Sequence, residues 1–213
     1  MPNKRNTGTT LLELTLATGL LTIIVTGGYV LLGTGVDTYD MGSTQAEVER
    51  NTDRALEMTA AELSMAGRAV IHPQPLPPSS TDSLSFQRCV GFTEGAIAWG
   101  PTTVIEFRHE PDDPDDGVDN NGNGLIDEGM IVRVENAGTS DERVVVIARG
   151  VREYLEGEIP NDKDDNGNGL IDEAGLSFDV IGEVWTIRIT LERLDAKKRS
   201  VMHTAQTSIK TRN

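Results

Sequence analysis

A run of apolar residues from Leu14 to about Leu32 limits this chain more than any other feature. No charged residue interrupts it. At 1.5 Å rise per residue, about 20 helical residues cross a hydrocarbon core of about 30 Å. A membrane-spanning helix is therefore predicted. Lys4 and Arg5 precede the run, and the first charges beyond it are Asp37 and Asp40. Basic residues before and none soon after place the N-terminus in the cytoplasm and the remainder outside.

Three readings of this segment compete. A cleaved secretory signal fits poorly, because its apolar core should be about 7–15 residues long and end at a small-residue cleavage site. A plain single-pass anchor explains length and orientation but not Glu13, set within Leu11-Leu12-Glu13-Leu14. A carboxylate at a helix centre in the membrane costs about 2.5–3.5 kcal/mol, so it needs a partner. The third reading supplies one. Gly8-Thr9-Thr10-Leu11-Leu12-Glu13-Leu14, behind a short basic leader, resembles the prepilin signature of type IV pilins and pseudopilins. The resemblance implies cleavage after Gly8 by a prepilin peptidase and methylation of the new amine on Thr9. It also implies that Glu13 pairs with the N-terminal amine of a neighbouring subunit during assembly. Thr9 stands where the family usually has Phe or another apolar residue. A carboxylate one helical turn from a membrane-side cation offsets that charge, in keeping with the implied pairing.

Beyond Gly33 and Gly35 the chain turns polar and then periodic. Val48, Thr52, Ala55, Leu56, Ala60, Leu63, Ala66, Gly67 and Val70 recur at helical spacing, which predicts a face that docks onto a globular head. Thr44 and Glu47 are spaced as a capping box, so an interruption is expected near Gly42, with Gly27-Gly28 a second soft point. Asp37-Thr38-Tyr39, Asn51, Arg54-Ala55-Leu56, Glu62-Leu63 and Met65-Ala66-Gly67 resemble W-type minor pilins. J-type minor pseudopilins of type II secretion are relatives with similar spacing.

His72 to Ser80 carries four prolines in nine residues and reads as a connector. Strands are predicted at 84–87, 102–108, 130–134, 143–148, 176–180, 184–191 and 201–210. The expected fold is α+β: a long N-terminal helix, first transmembrane and then amphipathic, packed on an antiparallel head as in pilins. The expected organisation is a leader at 1–8, an assembly half of the helix at 9–35, an amphipathic half at 36–70, a linker at 71–82 and a head at 83–213.

The net charge is −15, which argues against nucleic acid as a partner. That charge is local. Residues 112–128 carry −7 and residues 162–173 carry −4, so −11 of it sits in two short segments. Asn121 to Glu128 recurs identically as Asn166 to Glu173, 45 residues on. Alternating Asp and Asn with Gly suits Ca²⁺, which takes six to eight oxygens from a tightly turning loop. In the register shared by both copies, loops 112–129 and 161–174 offer Asp119, Asn121 and Asn123, and Asp164, Asn166 and Asn168. Asp127 with Glu128, and Asp172 with Glu173, would close the two sites. A second register starts at Asp162 and matches the EF-hand spacing with Glu173 twelfth, but Gly117 breaks it in the first copy. The bland alternative is a pair of acidic hairpin turns, since Asn-Gly turns without metal. The density of carboxylates favours up to two Ca²⁺ over Mg²⁺, and zinc lacks Cys and His here.

No catalytic constellation is evident, so the chain is not expected to be an enzyme. His72, His109 and His203 are scattered, and the lone Cys89 is expected to be a small buried residue. The expectation is a minor pilin or pseudopilin that waits in a bacterial inner membrane, its head in the periplasm, before joining a pilus or pseudopilus. Its implied partners are prepilin peptidase, the inner membrane and other pilin or pseudopilin subunits. The alternative is a membrane- or filament-anchored, calcium-dependent adhesin.

Overall fold

The computed structural model describes residues 10–93 and 95–211. Its elements are one helix, α1 (Leu11–Ser64), a short 3-10 turn at Arg68–Val70, and seven strands. The strands are β1 (Ser83–Thr93), β2 (Ala96–His109), β3 (Gly129–Glu135), β4 (Arg143–Val151), β5 (Leu176–Ile181), β6 (Val184–Leu194) and β7 (Ser200–Lys210). The chain divides into two compact units, Met1–Gly42 and Ser43–Asn213.

The described part of the first unit is helix alone. Its large side chains touch little: Leu11, Tyr29 and Leu31 are 75–81% exposed. It is the one helix, among the described residues, long and apolar enough to cross a membrane. Its threonines do not oppose that character. The hydroxyls of Thr15, Thr18, Thr22, Thr34 and Thr38 donate to carbonyls three or four residues back. An otherwise orphaned hydroxyl is thereby satisfied inside its own helix.

In the second unit the sheet is antiparallel, in the order β1-β2-β3-β4-β6-β5, with β7 on the far side of β6. β4 meets β6 at a single rung, Val151 opposite Leu191. The sheet thus has two parts, β1–β4 and β5–β7, joined at one narrow seam. Both contribute inward side chains to one core: Leu84, Phe86, Ile105 and Ile131 from the first, Phe178, Trp185, Ile187 and Ile189 from the second. Val48, Ala55, Leu56 and Leu63 of α1 enter the same core. Burying each such side chain is worth about 1.5–3 kcal/mol.

The predicted strands all form. Three expectations about the helix and one about Cys89 are corrected. No break occurs near Gly42, nor at Gly27-Gly28; the helix runs continuously through all three. A glycine costs about 1 kcal/mol inside a helix, too little to end one that both flanks favour. Thr44 and Glu47 therefore form no capping box, and the Glu47 carboxylate instead pairs with Arg193 on β6. The buried stripe leaves the helix early, because α1 ends at Ser64 and Ala66 bridges to Arg88 of β1. Cys89 is exposed, not buried. It sits between two register shifts of the β1–β2 pair, where the strand's alternation slips.

The Pro-rich linker is bound along its length. His72 and Ser85 exchange backbone hydrogen bonds, and Thr81 and Phe178 do the same. Pro75 and Pro78, which cannot donate, accept from Val180 and Ile171 through their carbonyls.

Candidate functional site

Glu13 caps the helix it belongs to. Its carboxylate accepts the Thr10 backbone N–H at 2.8 Å, and the Thr10 hydroxyl accepts the Glu13 N–H at 3.3 Å. This reciprocal pair is a capping box, legible in the sequence as Thr-x-x-Glu but not read there. Gly8 and Thr9 lie outside the described residues.

The two acidic loops leave the same end of neighbouring strands, since the first precedes β3 at Gly129, which pairs with Val151 at the end of β4. The Asn-Gly turns are built alike. Asp119 accepts the N–H groups of Gly122 and Gly124 at 2.7 and 2.9 Å, as Asp164 does those of Gly167 and Gly169 at 2.6 and 2.8 Å. Asn121 and Asn123, like Asn166 and Asn168, each accept the N–H two residues on. Gly122 and Gly167 have φ of 75° and 77°, and Gly124 and Gly169 both have 92°. Only a residue without Cβ takes such angles freely, which is why the glycines recur.

Asp127 and Asp172 also bind backbone. Asp127 accepts from Asp116 and Gly117, and Asp172 from Asn161 and Asp162. Both adopt left-handed backbone, φ 53° and 49°. Asp162 is left-handed too (φ 60°), and its counterpart in the first loop is Gly117 (φ 78°). The position that broke the second register is thus a backbone turn in both copies, and the Asp162 side chain is exposed.

Glu128 and Glu173 turn inward and are 3% and 0% exposed. Oε1 of Glu128 accepts the side-chain amides of Asn121 and Asn123; Oε1 of Glu173 accepts that of Asn168. Burial pushes both carboxyls above their ordinary range, against the opposing pull of those amides.

Two further acids belong here that the sequence reading missed. Asp113 is 0% exposed and accepts the Asn120 N–H at 2.7 Å; Glu158 is 6% exposed and accepts the Asn166 N–H at 3.0 Å. The Asn120 amide holds Asp113 below its ordinary range, despite burial. The 45-residue offset carries Asp113 onto Glu158, so the signal was present. The chain backbone follows the same offset. Glu110 N–H donates to the Glu128 carbonyl and Leu155 N–H to that of Glu173, while Asp113 donates to Glu110 and Glu158 to Leu155. The structural repeat therefore spans 110–128 and 155–173, more than the identical octet.

Among the described residues, no three His, Cys, Asp or Glu side chains converge as a ready metal cage. Each loop does contain two buried carboxylates, Asp113 and Glu128 in the first and Glu158 and Glu173 in the second. Four of their oxygens are buried without a hydrogen-bond partner: Oδ2 of Asp113 and Oε2 of Glu128, Glu158 and Glu173. Buried anionic oxygens left unsatisfied are costly, and a hard divalent cation is the group that suits them. Of these four acids, Glu128 and Glu173 were named from the sequence as candidate calcium ligands, and Asp113 and Glu158 were not.

Searches against protein-family models, curated proteins and solved structures return no match for this chain.

Proposed function

We propose that this chain is a minor pilin-like or pseudopilin-like subunit of a type IV pilus or a type II secretion pseudopilus. The observation that carries the reading is an apolar helix, its large apolar side chains mostly exposed, headed by a carboxylate at Glu13. An acid at the mouth of such a helix is expensive in a membrane unless a cation meets it. A neighbouring subunit's cleaved N-terminal amine is that cation in this reading. The apolar span then serves twice, as anchor before assembly and as packing surface afterwards.

The head supports the reading by its layout. The helix buries Val48, Ala55, Leu56 and Leu63 in a β-rich core, leaving the first unit's apolar side chains for other chains or lipid. The acidic loops hold structural Ca²⁺, which screens the −11 concentrated in them.

Expression beside a prepilin peptidase tests it. Gly8→Arg should leave the leader in place, seen as an unshifted mass. Glu13→Ala should be cleaved normally yet fail to enter filaments. Normal incorporation of Glu13→Ala would remove the pairing role, and cleavage elsewhere than after Gly8 would remove the pilin-like reading.

A further inference from the structure

We infer that each acidic loop binds one Ca²⁺ between two buried carboxylates that the Asn-Gly turn does not supply on its own: Asp113 with Glu128, and Glu158 with Glu173. This rests on the calcium reading of the loops and changes its ligands.

The acids in each loop fall into two sets by what their oxygens already hold. Asp119, Asp127, Asp164 and Asp172 spend both oxygens on backbone N–H groups. They shape the turn and have little left to offer a cation. Asp113 and Glu158 each spend one oxygen on a backbone N–H and keep the other bare. Glu128 and Glu173 spend one on Asn side-chain amides and keep the other bare. The backbone ties the members of each pair together: Asp113 donates to Glu110, whose N–H donates to the Glu128 carbonyl, and Glu158 donates to Leu155, whose N–H donates to the Glu173 carbonyl.

Two buried carboxylates in one loop repel each other, and the Asn amides reach only one oxygen of Glu128 and of Glu173. The arginines nearby are engaged: Arg149 pairs with Glu110 at 3.0 Å, and Arg188 pairs with Asp179. A divalent cation neutralises both charges of a pair at once and fills both bare oxygens, with water completing its shell. Glu128 also borders a surface groove of about 610 Å³ shared with Leu125, Tyr154 and Lys198, which gives an ion a route in.

The spacing supports the assignment independently of burial. Asp113 and Glu158 lie at the same 45-residue offset as the octets, outside the identical block, where the sequence differs but the acid persists. Both are held by the same backbone bond to the residue three before them.

The test is calcium titration of the full chain in detergent micelles, read by calorimetry and by native mass, with Mg²⁺ as comparator. Wild type should bind two Ca²⁺. Asp113→Asn and Glu158→Gln should each bind one, and the double variant none. Charge-matched controls, Asp115→Asn and Asp162→Asn, should still bind two; asparagine suits the left-handed backbone at 162. Each single variant keeps the other loop as an internal reference. Should one lose its sheet signal in circular dichroism, Glu128→Gln or Glu173→Gln carries the test for that loop. Two ions bound by Asp113→Asn and Glu158→Gln would overturn the assignment while leaving calcium binding intact. Loss of an ion in Asp162→Asn would also overturn it, in favour of the other register. No calcium bound by wild type would overturn the calcium reading itself, with the prepilin experiments unaffected.

Discussion

Gly67 lies directly against the ring of Trp99, so close that a Cβ on Gly67 would stand 2.0 Å from the ring's Cη2. The contact seats the chain leaving α1 onto the β1–β2 hairpin, beside the Ala66–Arg88 bridge. Gly67 has ordinary extended backbone (φ −78°), so the need for glycine is steric and not conformational. Gly67→Ala must push the Trp99 ring aside, at about 1–3 kcal/mol. Urea denaturation should show the loss, and Trp emission should shift with it. An unchanged midpoint would mean that the ring yields freely.

Glu62 ties α1 to two strands. It is buried, pairs with Arg88 of β1 at 2.5 Å and pairs with Arg133 of β3, which also reaches Glu135 at 2.6 Å. Glu62→Ala leaves two guanidiniums facing each other without their shared anion. Breaking such a pair costs about 3 kcal/mol. Thermal unfolding of the variant should start well below wild type. A midpoint within 2 °C of wild type would show the arginines reaching other partners.

Calcium should stabilise the head. At about 1 mM ion and a dissociation constant of about 0.1 mM, one site adds about 1.4 kcal/mol. Melting the full chain in micelles with calcium, then with chelator, should separate the two curves. Superimposed curves would count against the ion.

Asp195 sets a pH dependence at the β6–β7 turn. It accepts the N–H groups of Lys197 and Arg199 at 2.8 Å each and pairs with the Arg199 guanidinium at 2.6 Å. The Arg199 backbone N–H is the largest influence and holds its carboxyl below the ordinary 3.8. A depressed carboxyl stabilises the fold above its unfolded value and loses that contribution as pH falls through the folded one. The contribution should therefore be constant at neutral pH, begin to decline near pH 3.8 and disappear only as pH falls through the lower folded-state value. Asp195→Asn should flatten the acid limb of the stability curve and lower the plateau. An unchanged acid limb would assign the effect to other carboxylates.

The strands were legible because alternation is a local signal: Trp185 to Glu192 reads inward and outward in turn, and β6 forms there. The helix stripe was legible for the same reason from Val48 to Leu63. What failed was placement decided by distant partners. Nothing near Gly67 announces that Trp99, 32 residues on, will end the helical stripe. Glu47 looked like a cap because its partner Arg193 is far along the chain. In the loops, the identical octets announced the repeated Asn-Gly turns that the structure builds alike. Which oxygens stay bare depends on which backbone amides claim the others, and that is settled only in three dimensions. Asp113 and Glu158 were hidden by the difference between them, one Asp and one Glu, although their offset matches the repeat.

The prolines between helix and head have a consequence for the free margin of the sheet. The outward N–H groups of Phe178 and Val180 on β5 are taken by Thr81 and Pro75, and His72 covers Ser85 at the start of β1. A stretch of sheet margin that would otherwise recruit a strand from another molecule is sheathed by the chain's own connector. With those two N–H groups of β5 already taken, that stretch offers no open ladder on which a further strand could add. The same sheath reaches Ile171 through Pro78, so a pull on the connector is felt two residues from Glu173.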